Sequence, residues 1–179
     1  HLSIRRQRQM CIRDSQGHAF DQDGAWAAQG IVIESLLEQM LADPFFAKVP
    51  PKSTGRDDFH LQWLEKQIGS NAFKAEDVQA TLLHLTVTTA LQSILLYAPQ
   101  TEVLIVCGGG VRNTALLDRL RDHAQTVFNH ALEIRSSEVN GVDPQLVEAL
   151  AFAWLAWAHK TKPVSYTHLR DHETEADLV

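Results

Sequence analysis

The sequence predicts an α/β fold, and three observations carry that prediction. An apolar, β-branched run, EVLIVC at 102–107, ends directly in Gly108, Gly109 and Gly110. Asn113 then caps a helix through Leu116, Leu117 and Leu120, and a second strand-like run follows at 126–132. Strand, glycine turn, helix and strand in that order form an α/β pattern.

Around this unit the periodicity is helical. Asp21 and Asp23 are placed to cap a helix whose Ala28, Val32, Leu36 and Met40 share one face, flanked by Leu37 and Leu41 and ended by Pro44. Leu61, Leu64 and Ile68 mark a second helix, stopped by Gly69. A third is predicted from about 75 to 97, with Val78, Leu82, Leu85, Thr89 and Leu96 facing inward. Its Thr86, Val87, Thr88 and Thr89 disfavour helix, so tertiary packing must hold them, and a strand is the alternative there. Asp143 followed by Pro144 starts a last helix that runs to about His159.

The chain has 179 residues, enough for one domain, and 45% hydrophobic with 21% charged residues is a globular composition. A net charge of −6 argues against a general nucleic-acid binder, which needs clustered cations to neutralise phosphates. The apolar stretch at 146–158 is shorter than the roughly 20 residues of a membrane span and contains Glu148, so no span is expected. Arg5, Arg6 and Arg8 look like the start of a signal peptide, but Met10, Cys11 and Ile12 run into Arg13 and Asp14. A cytoplasmic protein is the expectation. Cys11 and Cys107 form no paired motif, so neither a disulfide nor a structural metal is predicted.

Both ends lack periodicity and resemble translated adapter sequence. Residues 1–17 and 162–179 are expected to be foreign tails, leaving 18–161 as the folded portion. His168 and His172 have a ligand-like spacing, but two ligands in a tail do not make a metal site.

Several features carry chemistry. Three glycines after a strand allow a ligand close to the backbone, and the next helix offers amide hydrogens and a positive dipole end. A phosphate or nucleotide at 108–113 is therefore favoured, although Asn113 occupies the place of the last glycine in a dinucleotide fingerprint. The alternative is a turn that needs glycine only for close packing. In PPKSTGRDDF, the cations Lys52 and Arg56 and the hydroxyls of Ser53 and Thr54 suit a sugar or phosphate, while a solvated helix-start loop capped by Asp57 or Asp58 is the plainer reading. The last helix looks buried nearly all round, which makes its one carboxylate, Glu148, a site candidate; an exposed first-turn glutamate is the alternative. His60, His84, His123 and His130 read as surface or packed histidines.

FDQDGAWAAQG at 20–30, PPKSTGRDDF, DVQATLLHLT, CGGGVRN and VDPQLVEALAFAW together resemble the anhydro-N-acetylmuramic acid kinase family, in that family's order. The resemblance implies an incomplete ribonuclease-H-like lobe of the acetate and sugar kinase, Hsp70 and actin superfamily, with 18–161 as a C-terminal nucleotide- and sugar-binding portion. It implies ATP and Mg²⁺ as cofactors, an amino sugar as substrate, a homodimer, and no membrane or nucleic-acid partner. Family members transfer the γ-phosphate to the sugar 6-oxygen while water opens the 1,6-anhydro bridge, giving N-acetylmuramate 6-phosphate for cell-wall recycling.

By the same resemblance Gly108, Gly109, Gly110 and Asn113 fall on the nucleotide turn, and Glu148 matches a sugar-contacting glutamate. Lys52, Ser53, Thr54 and Arg56 stand in a family signature that either touches ligand or braces the cleft. The family's catalytic aspartate, in an FDTGP-like segment, belongs upstream of FDQDG, so no catalytic residue is assigned and the chain alone is expected to be inactive. The family's closing GNLPxVTGA-like segment is replaced by KPVSYTHLRDHE, and Asp57 stands where the family usually has Glu. The rival readings are a non-catalytic Rossmann-like module, with Glu133 as its ribose acid, and a structural dimerisation domain built on the last helix.

Overall fold

The computed structural model describes residues 21–53 and 58–161. The predicted tails, Cys11, Thr54, Arg56, Asp57, His168 and His172 lie outside the described residues. The elements are α1 (Glu34–Leu41), α2 (Pro44–Ala47), α3 (Leu61–Ile68), α4 (Ala75–Tyr97), β1 (Val103–Val106), α5 (Thr114–Val127), β2 (Glu133–Ser136) and α6 (Val147–Thr161). This is a mixed helix and strand fold with a small parallel sheet, as the α/β pattern predicts.

α4 forms the axis of the molecule. Its Val78, Leu82 and Leu85 pack with Leu36, Met40, Trp63 and Leu64 of α1 and α3. Its Leu83, Val87 and Leu91 pack on another side, with Leu116 and Leu120 of α5, Phe128 and Ile134. Two cores therefore share one helix, and each fully buried leucine contributes roughly 1.5–3 kcal/mol. This enclosure keeps the β-branched run helical: Thr81, Thr86 and Thr89 turn their hydroxyls back to the carbonyls of Asp77, Leu82 and Leu85. α4 is also the one described helix long and apolar enough to cross a membrane, yet half of that window is buried inside the fold. Leu96 lies beyond both cores and is exposed, contrary to the sequence expectation.

The first predicted helix starts late. Residues 22–29 form two short 3-10 turns, and Asp21 holds them by accepting from the amides of Trp26 and Ala27. Extended chain follows, because α4 supplies its hydrogen bonds: Ile31 N–H donates to Asp77 and Ile33 N–H to Thr81. Gly30 is needed there, since a Cβ would sit 2.0 Å from the Glu76 carbonyl oxygen. Pro44, expected only to end a helix, also begins α2 under an Asp43 cap.

β1 and β2 pair in parallel, Val103 opposite Glu133 through Val106 opposite Ser136. Two sequence expectations change here. The second strand begins at Glu133, not at 126, because α5 continues to Val127 and the Thr126 hydroxyl bonds to the His123 carbonyl in its last turn. β1 is not a buried strand either: Val103 and Ile105 alternate outward and are exposed, while Leu104 and Val106 face the core.

Candidate functional site

Parallel pairing brings the C-terminal ends of β1 and β2 to one edge of the sheet, where open α/β sheets take ligands. The Gly108–Arg112 3-10 turn leaves β1 there, and the Ser137–Asn140 turn leaves β2. Gly108 has φ +73 with open space where a Cβ would be, so its glycine is required by backbone conformation and leaves room above the turn. Its N–H donates to the Pro144 carbonyl at 2.8 Å, tying the turn to the segment that leads into α6.

The second turn is equally defined. The Ser136 side chain accepts from the Glu138 amide, the Ser137 hydroxyl donates to the Val142 carbonyl, and Gly141 closes the turn in the left-handed region. Asp143 then accepts from the Gln145 amide and starts the turn into α6. Between the two turns lies a cavity of about 430 Å³ lined by Val111, Arg112, Glu138, Gly141, Asp143 and Gln145, with Pro144 between the last two. That volume falls within the range of small-molecule sites, roughly 300–1,000 Å³. Exposed Arg112 brings one cation to it, and Glu138 and Asp143 bring carboxylates.

The sequence-derived residues divide. Gly108, Gly109 and Gly110 form the turn beside this cavity. Asn113 points elsewhere: its Oδ1 accepts from the Leu116 amide at 2.8 Å and caps α5. The Asp23–Gly24 turn also lies against the α5 start, with the Thr114 hydroxyl donating to the Asp23 carbonyl at 3.0 Å. The helix terminus expected to receive phosphate is thus partly used within the fold.

Lys52 braces the chain. Its ammonium donates to the carbonyls of Phe45 and Phe46, at 3.2 and 3.0 Å, and lies over the Phe45 ring. Ser53 is exposed. Glu148 sits in the first turn of α6 and is exposed, and the helix is not buried all round as its composition predicts: Ala158 is its one buried residue. Most of α6 stays exposed, so its apolar composition does not translate into burial. Of the histidines, His60 caps α3 and His130 bonds to the Thr101 carbonyl.

Sequence reasoning passed over Arg112, Glu138, Gly141, Asp143 and Gln145 as cavity residues. Arg112 stands inside the CGGGVRN motif, and in sequence Asp143 signals only a helix cap. The available signal was the NGVDPQ run, a left-handed glycine turn followed by a helix start.

Comparison with known proteins shows the family. The family profile for anhydro-N-acetylmuramic acid kinase matches residues 9–165. The chain belongs to the anhydro-N-acetylmuramic acid kinase family. An anhydro-N-acetylmuramic acid kinase of Pseudomonas putida is 48% identical over 146 residues, covering 81% of this chain and 39% of the relative. One from Xanthomonas campestris pv. campestris is 48% identical over 141 residues, covering 79% and 36%, and one from Ralstonia nicotianae is 46% identical over 147 residues, covering 81% and 37%. The chain thus spans well under half the length of these relatives. Membership in a kinase family disfavours the Rossmann-like and purely structural readings.

Proposed function

We propose that this chain is the C-terminal nucleotide- and sugar-binding portion of a cytoplasmic kinase that phosphorylates 1,6-anhydro-N-acetylmuramic acid with ATP. The γ-phosphate would pass to the sugar 6-oxygen while water opens the anhydro bridge, giving N-acetylmuramate 6-phosphate and ADP. The ribonuclease-H-like lobe and the homodimer belong to the same reading. The observation that carries it is the cavity at the C-terminal edge of a parallel sheet, beside the glycine turn, in a chain of this family.

In this reading Gly108, Gly109 and Gly110 let the nucleotide approach the backbone, and Arg112 pairs with phosphate oxygens. Glu138 and Asp143 accept hydrogen bonds from ribose hydroxyls or the base. Asn113 acts by holding the start of α5 behind the turn. Ser53, Thr54, Arg56 and Glu148 stay assigned to the sugar side, whereas Lys52 braces the chain at Phe45 and Phe46. A kinase of this type uses Mg²⁺ to neutralise phosphate charge. The described residues hold no cluster of three metal-ligating side chains, so no step is assigned to a metal on this chain.

Calorimetric titration of the chain with ATP tests the reading. Binding is expected without turnover, and Arg112→Ala is expected to weaken it about tenfold or more, the loss of one charge-assisted contact, with unchanged melting. Absence of ATP binding, or an unaffected Arg112→Ala variant, would remove the cavity from the proposal.

A further inference from the structure

Asp23 is the one non-glycine residue among the described residues with a left-handed backbone, φ +56 and ψ +8, and Gly24 continues it at φ +77. Aspartate adopts this region more readily than most residues, yet two such residues in a row persist only where their surroundings fix them. Asp21 fixes them from behind, accepting from the amides of Trp26 at 2.8 Å and Ala27 at 3.1 Å, two residues buried in the fold. In front lies the start of α5. The Asp23 carbonyl accepts from the Thr114 hydroxyl at 3.0 Å, and Gly24 packs against the side chains of Asn113 and Ala115. Asn113 leads back to the glycine turn: its N–H donates to the Gly110 carbonyl at 3.1 Å, so the residue held against Gly24 also closes the turn at Gly108–Arg112.

We propose that Asp23, through its carbonyl, and Thr114 are positioning residues for the Gly108–Gly110 turn, holding its backbone where a nucleotide meets it. The ligand rests on the nucleotide reading above; the positioning rests on these contacts. The turn has little packing of its own. A Cβ on Gly108 would touch nothing within 4 Å, and one on Gly110 would meet the Leu116 side chain at 3.7 Å. Glycine backbone held so loosely loses more conformational freedom when a ligand orders it, and that cost falls if the turn is fixed beforehand. Its first end is tied by the bond from the Gly108 N–H to the Pro144 carbonyl, and its last by Asn113, which the Asp23–Gly24 turn and Thr114 hold in place. Stability alone accounts poorly for the Thr114 bond. It is exposed, and water satisfies both groups when it is broken, so it adds direction to the chain more than it adds folding energy.

Thr114→Val removes the donor at nearly constant shape and tests this in the full chain. Without ligand, the NMR amide resonances of Gly109 and Gly110 are expected to move. Calorimetric titration with ATP is expected to show affinity about threefold or more weaker, with a melting temperature close to that of the parent chain. Thr114→Ser, which keeps the donor, is expected to restore both readouts. Parent-like glycine amides in Thr114→Val overturn the proposal whatever the affinity, because a loss of binding would then come from Thr114 touching the ligand. Moved amides with parent-like affinity overturn it as well, since the bond would then be structural only, and so does a loss that serine fails to restore. A parent chain that binds no ATP counts against the kinase reading alone, and the glycine amides then decide the positioning.

Discussion

A Cβ placed on Gly24 would lie 2.3 Å from Oδ1 of Asn113, which makes these two residues, far apart in sequence, one packing unit at the start of α5. The same Cβ would lie 2.7 Å from that of Ala115, and Gly24 has φ +77. The FDQDG and GGGVRN segments are thus joined by close contact, and the requirement for glycine at 24 is steric as well as conformational.

Gly24→Ala is therefore expected to destabilise the chain by about 2–5 kcal/mol, from backbone strain and overpacking together. Gly141 makes the control. It has φ +75 with open space where a Cβ would sit, so Gly141→Ala should cost only about 1–2 kcal/mol. Urea unfolding of both variants checks the order, and equal losses would show that the Gly24 contact is relieved by movement.

Asn113→Ala removes the acceptor for the Leu116 amide and should cost about 1 kcal/mol, whereas Asn113→Asp should retain most of the stability. If the asparagine serves mainly a ligand, the alanine variant will instead keep its stability and lose ATP affinity. Denaturation and titration on the same samples separate the two.

His84 predicts a pH dependence. Its ring lies 5.1 Å from that of His123, and its Nδ1 is buried with no hydrogen-bond partner among the described residues. Burial, then the charges of His123 and Arg119, holds its pKa below the ordinary 6.5, with Glu34 opposing. The unfolded chain therefore takes up this proton at higher pH than the folded one. The contribution to stability is whole above about pH 6.5 and is lost as pH falls toward the folded value. Imidazole titration by NMR should show His84 protonating below the ordinary value, and His123→Gln should raise it.

Leu91→Ala, at a position with no exposure between α4 and α5, is expected to cost about 2–5 kcal/mol. Leu150→Ala in the isolated chain should stay within about 0.5 kcal/mol, because its side chain is already half in water. A large loss at Leu150 would show that α6 is packed in solution.

Local chemistry was legible from the residues alone. α4 runs over the residues its periodicity indicates, α3 stops at Gly69, and Asn113 caps α5, because these depend on side chains within a few positions of one another. The motifs, in order, also carried the family. What only tertiary structure decided is where distant backbone groups find partners. Residues 31–33 are extended because Asp77 and Thr81 satisfy their amides, and Lys52 is a brace because the Phe45 and Phe46 carbonyls lie within its reach. The cavity exists because parallel pairing sets the turns after β1 and β2 side by side, a register that no single segment encodes. α6 marks the sharpest division: composition states that a helix is apolar, but burial requires a second surface, and among the described residues nearly all of α6 lacks one.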